Sequence, residues 1–74
     1  MKISRTAQKQ LRKMQKQDAQ RLIDALKEYE ASGNGDVKSL QGRNGYRLRV
    51  GNMRAIFEII NGIIVLQAGY RGNI

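Results

Sequence analysis

The hydrophobic period of this chain changes once, and the change falls on one short segment. Before Ser32-Gly33-Asn34-Gly35-Asp36 the apolar residues recur at helical spacing, and beyond it they alternate. Ala7, Leu11 and Met14 stand at i, i+4 and i+7, one face of a helix. Ala19, Leu22, Ile23, Leu26 and Tyr29 continue in helical register, but the centre of their stripe is rotated from the first. Two helices are therefore expected rather than one long rod. Ser4 or Thr6 offers the first N-cap, Asp18 the second, and Gly33 suits the left-handed residue that closes a helix. Ile3 is expected in no more than a very short opening strand.

In the second half Tyr46, Leu48 and Val50 alternate with Arg47 and Arg49. Gly51-Asn52 reads as a two-residue hairpin turn, and Asn61-Gly62 as a second. Strands are thus expected before, between and after these turns, the last from Ile63 to Gly69, followed by a short tail from Tyr70 to Ile74. Helices first and strands second give an α+β class. The expected architecture is a single domain over residues 1–74. Two N-terminal helices cover one face of a three-strand antiparallel meander, with a short extra N-terminal strand as an option. The covered face should carry Tyr46, Leu48, Val50, Met53, Ala55, Phe57, Ile59, Ile64, Leu66 and Ala68.

The two turns also set a register. Arg49 should face Arg54, Arg47 should face Ile56, Arg54 should face Gly69, Glu58 should face Val65, and Ile60 should face Ile63. Arg47, Arg49, Arg54 and Arg71 then gather on the face away from the helices. Like charges directly opposite in a sheet destabilise it, and only Glu58 offers an acid nearby. Gly69, opposite Arg54, should leave room above the backbone for a ligand. A solvated polar face is the bland alternative, common in antiparallel sheets.

Composition narrows the chemistry. The chain has 74 residues, with no Cys, His, Pro or Trp, and a formal charge of +8. A domain this small buries only about 60% of its unfolded surface, and it has no Cys for a disulfide staple. Without His or Cys, catalytic triads, histidine acid–base pairs and the usual structural zinc sites are excluded. The six acidic residues show no metal-ligand spacing, so neither metal nor cofactor is expected. Residues 38–74 hold six basic groups against one acid, and five of the six are Arg, the side chain suited to forked contacts with phosphate. Nucleic acid is the leading partner on charge, with an acidic protein or a membrane surface left open. Lys38 and Arg43 flank the way into the first hairpin and are candidate phosphate contacts. The basic residues of the helical half, such as Lys9 and Lys13, read as helix solubilisation. No apolar run suits a membrane helix or a signal peptide, and the cytoplasm is the expected compartment.

Three segments carry a family resemblance: Gly45-Tyr46-Arg47-Leu48-Arg49, Arg54 ahead of the apolar strand with Phe57, and Gly69-Tyr70-Arg71. With the helical lead from Ile3 to Met14, they resemble the RelE/ParE superfamily of bacterial toxins over nearly the whole chain. The resemblance implies the toxin of a type II toxin–antitoxin system, held by a cognate antitoxin. For the RelE-like branch it implies a metal-independent endoribonuclease that cuts mRNA on the ribosome. Its catalytic set would map to Arg47, Arg49, Arg54, Arg71 and Tyr70, with Tyr70 as base or stacking platform and Glu58 as a fallback base. Many relatives carry His where this chain has Tyr70. The ParE-like branch, which poisons DNA gyrase, and a plain basic nucleic-acid binder are the alternatives. An acidic antitoxin segment is expected to cover outer-face apolar residues Ile56, Ile60, Ile63 and Val65.

Overall fold

The computed structural model describes all residues from Met1 to Ile74. The elements run β1 (Lys2–Ile3), α1 (Arg5–Lys13), α2 (Lys16–Ser32), β2 (Asp36–Ser39), β3 (Tyr46–Val50), β4 (Met53–Ile59) and β5 (Ile63–Tyr70). The strands form one mixed sheet in the order β1-β5-β4-β3-β2. The pairs β2–β3, β3–β4 and β4–β5 are antiparallel, whereas β1 lies parallel to β5. The α+β class therefore stands, and the three-strand meander widens to five strands. β1 is the short opening strand that Ile3 suggested. β2 lies where only loop was expected, because an exposed edge strand with one half-buried residue, Val37, carries almost no alternation.

Two helices form, as the rotated stripes require. Ser4 caps α1: its Oγ accepts from the Ala7 N–H at 3.1 Å and donates to the Leu66 carbonyl at 3.1 Å. One hydroxyl thus closes a helix and ties it to β5. The cap of α2 differs from expectation. Gln15 stands there with no side-chain bond, and Asp18 sits one turn in, bonded elsewhere. Gly33 ends α2 at φ 80°, with its N–H donating to the Tyr29 carbonyl at 2.8 Å.

Both helices lie on one face of the sheet. The core joins Ala7, Met14, Leu22 and Leu26 to Leu48, Met53, Ala55, Phe57, Ile63, Val65 and Ala68. Phe57 is fully buried at its centre, stacked on Tyr46 (ring centroids 5.5 Å) and edge-on to Tyr29 (5.7 Å). On β5 the expected face is reversed near the tip, where Ile63 and Val65 point to the helices in place of Ile64 and Leu66. The cause is a bulge. Ile56 pairs with Gln67, but Phe57 pairs with Val65, so Leu66 is the extra residue on β5. At the tip Ile59 then faces Ile63, and Glu58 faces Ile64 rather than Val65. The turn takes three residues, Ile60 to Gly62, with Asn61 at φ 52° and Gly62 at φ 105°.

This shift also corrects the expected apolar outer patch. Ile63 and Val65 belong to the core, and Ile56 is buried. The exposed large apolar residues are Met1, at 39%, Ile60, at 59%, and Ile59, at 50%, which was expected on the covered face.

The wider turn leaves the Ile63 N–H for a side chain. It donates to Glu30 Oε2 at 2.9 Å, while Glu30 Oε1 lies 3.6 Å from the Met1 amine. The Ile63 hydrogen bond, with the amine in support, holds the Glu30 carboxyl below its ordinary value near 4.5, against some desolvation. A lowered folded-state pKa stabilises the fold above the unfolded value, and that stabilisation is lost as pH falls through the folded value. Glu30→Gln should therefore lower the thermal midpoint near neutrality. The gap to the wild type should close as pH drops below about 4.5. A gap unchanged across that range in a melting series would remove Glu30 from the acid response.

Candidate functional site: an arginine cavity on the open sheet face

The face away from the helices is built row by row from strand pairing. In one row Asp36 faces Arg49, Arg49 faces Arg54, and Arg54 faces Gly69. In the next, Lys38 faces Arg47, Arg47 faces Ile56, and Ile56 faces Gln67. The bulge lies beyond these rows, so the register expected for the arginines is the one observed. Arg71 follows directly after β5, and its N–H donates to the Asn52 carbonyl at 2.6 Å, which binds it to the β3–β4 turn. Asp36, Lys38, Arg47, Arg49, Arg54, Arg71, Gly72 and Ile74 together line an open cavity of about 330 Å³.

Five cations and one carboxylate meet there. Arg54 is half-buried, and its Nη1 donates to the carbonyls of Gly51 and Met53, both at 2.8 Å. This fixes the guanidinium beside the turn with other N–H groups to spare. Desolvation, followed by the charges of Arg49, Arg71 and Arg47, pushes the Arg54 pKa below the ordinary arginine value, and Asp36 opposes the shift. Arginine starts so high that the group stays charged near neutrality. The cluster is thus a preorganised positive site whose members repel one another. Asp36 offsets part of that repulsion, with Oδ2 2.7 Å from Arg49 Nε. Sequence reasoning missed this acid, because Asp36 belongs to the strand that it read as loop.

Of the residues singled out in the sequence, Arg47, Arg49, Arg54, Arg71 and Lys38 come together. Lys38 is a strand residue facing Arg47, not a loop residue. Arg43 lies in the exposed connection between β2 and β3, outside the cavity lining. Tyr70 lies elsewhere. It pairs with core-facing Met53, and its hydroxyl donates to Asp18 Oδ2 at 2.7 Å and accepts from the Gln15 N–H at 3.1 Å. That places the phenol at the α1–α2 junction on the helix side of the sheet. The bond to Asp18 raises its pKa, so it is held protonated. Glu58 also lies outside the cavity lining, in a separate hollow with Asn44, Gly45, Tyr46, Ile59 and Ile60. The space expected above Gly69 is filled. A Cβ built there would lie 3.2 Å from Ile74 Cδ1.

No three or more carboxylates converge on a metal-binding arrangement, and no helix is long and apolar enough to cross a membrane. No protein-family model matches the chain, and no curated protein matches it. Its fold is similar to that of a chain in the crystal structure of the RelB–RelE antitoxin–toxin complex from Methanococcus jannaschii. The TM-score is 0.80 and the identity 25%, covering 99% of this chain and 93% of that one. Two helices on one face of a five-strand mixed sheet, matched over nearly the full length of both chains, support a RelE-like fold.

Proposed function

We propose that this chain is the toxin of a toxin–antitoxin pair and that it cleaves mRNA on the ribosome without a metal. The observation that carries the reading is the convergence on one cavity of Arg47 and Arg49 from β3, Arg54 from β4 and Arg71 from just beyond β5. The fold likeness to a chain of an antitoxin–toxin complex supports the toxin part.

In this reaction the RNA 2′-oxygen attacks the adjacent phosphorus. The O2′–P bond forms as the 2′-hydroxyl gives up its proton, the P–O5′ bond breaks as the 5′-oxygen takes one up, both exchanged with water, and the products are a 2′,3′-cyclic phosphate and a 5′-hydroxyl. Negative charge builds on the phosphorane oxygens, and fixed cations aimed at that charge supply much of the rate. Arg54 and Arg71 are assigned to the scissile phosphate. Arg47 and Arg49 position the strand and stabilise the charge that develops, and Lys38 holds a flanking phosphate. Tyr70, bonded to Asp18 behind the sheet, is assigned to holding the α1–α2 junction instead of to proton transfer. The partner that silences the protein is an acidic antitoxin, complementary to the +8 charge.

Cleavage of a translated message by purified protein tests this directly. Fragments should carry 2′,3′-cyclic phosphate and 5′-hydroxyl ends, and a message with a 2′-O-methyl group at the cut site should survive. Fragments with 5′-phosphate ends would overturn the 2′-hydroxyl route. Arrest of gyrase on DNA with the message intact would move the chain to the ParE-like activity.

A further inference from the structure

One group in the cavity has no part in the cleavage chemistry just described. Asp36 opens β2, an edge strand, and holds Arg49 by an ion pair of 2.7 Å. Both side chains are open to solvent, at 44% and 54% exposure. The chain has two other ion pairs, Met1 with Glu30 and Arg21 with Asp18, and both lie outside the cavity. Arg47, Arg54, Arg71 and Lys38 therefore keep their charge free for a ligand, and Arg49 alone arrives occupied. Arg54 is held in a different way, by Nη1 on the neutral carbonyls of Gly51 and Met53, with its other N–H groups left for a phosphate.

We propose that Asp36 is a built-in anion that occupies the phosphate-binding edge of Arg49 in the free protein and is displaced when a ligand phosphate takes that place. The proposal rests on the reading of the cavity as a site for RNA phosphates. An exposed pair on an edge strand opens easily, and the displaced carboxylate has solvent to turn into. Being tethered beside Arg49, it competes at a constant and high local concentration. The affinity of any ligand that needs Arg49 is multiplied by the fraction of time the pair is open, the same factor whatever the ligand. A single small anion gains little else and binds weakly. A chain of linked phosphates also reaches Arg54, Arg71, Arg47 and Lys38, and binds despite the toll.

The test compares affinities for a short 2′-O-methyl RNA oligonucleotide and for inorganic phosphate, in the presence and absence of the Arg49 side chain. Asp36→Asn should bind both ligands roughly two- to fivefold more tightly than wild type, the factor that an exposed ion pair represents. Asp36→Ser should give the same gain. In an Arg49→Ala background, Asp36→Asn should give a clearly smaller gain, only what its charge does to Arg54 through space. An equal gain with and without Arg49 would overturn the proposal, reducing Asp36 to a general negative charge near the cavity. Weaker binding by Asp36→Asn would also overturn it and make Asp36 a brace for Arg49. Wild-type protein that binds neither ligand would sink the RNA reading of the cavity along with the proposal.

Discussion

Arg54→Ala should lower single-turnover mRNA cleavage on ribosomes about a hundredfold or more, the usual loss when one preorganised charge-stabilising group is removed. Arg71→Ala should be comparably damaging, and Lys13→Ala, at the exposed last turn of α1, nearly silent. What makes this result informative is the stability measured beside it. Arg54 faces Arg49 across the β3–β4 pair, and like charges so placed cost about 0.2–1 kcal/mol. Removing Arg54 relieves that repulsion while giving up two hydrogen bonds to half-solvated turn carbonyls. The two changes oppose each other, so the thermal midpoint should stay within about 4–8 °C of wild type, the span of 1 kcal/mol in a domain this size. A larger fall in midpoint with cleavage intact would make Arg54 a structural residue of the turn.

Phe57→Ala should produce the largest loss of stability. The ring is fully buried, with Tyr46 of β3 on its face and Tyr29 of α2 at its edge. Truncating a buried Phe costs about 3–5 kcal/mol. A chain of this length has a total of only about 4–11 kcal/mol at the usual stability per residue. The variant should thus melt at least ~12 °C lower, or be unfolded at room temperature, as circular dichroism would read. Phe57→Leu, which keeps more of the volume, should lose far less. A melting curve for Phe57→Ala close to that of wild type would mean the core is not centred on this ring.

The arginine rows were legible in the sequence because two features close to them decide the outcome. Gly51-Asn52 pins Arg49 against Arg54, and strand parity then keeps Arg47 on the same side. The other hairpin was less legible. Asn61-Gly62 marks a turn correctly, but the loop takes Ile60 as well, and the bulge at Leu66 restores the pairing before Arg54 and Gly69 are reached. Two errors of one residue cancel at the site and persist only at the tip. A run such as Ile63-Ile64-Val65-Leu66, apolar throughout, carries no alternation that could reveal the switch. Asp36-Val37-Lys38-Ser39 was illegible for the opposite reason. Three of its four side chains are exposed, and its strand character comes from pairing with β3. Tyr70 was placed beside Arg71 by sequence, but neighbours along a strand point to opposite faces. The half-buried acceptor that claims its hydroxyl, Asp18, is 52 residues away.

The position of β5 has a bearing on when this protein comes into being. It is the last strand in the chain, yet it lies inside the sheet, between β1 and β4. Until residues 63–70 leave the ribosome, β1 has no strand to pair with, Ser4 has no Leu66 carbonyl to bond, and β4 has an unpaired edge. Arg71 arrives later still. A nascent chain therefore carries its helices, β2, β3 and most of the cationic cluster with no closed sheet to hold them. Contacts between residues so far apart in sequence are slow to form, because chain entropy must be spent before they return anything. For a molecule read as an attacker of the translation machinery, this ordering means that the arginine cavity is not assembled until β5 and Arg71 have been made.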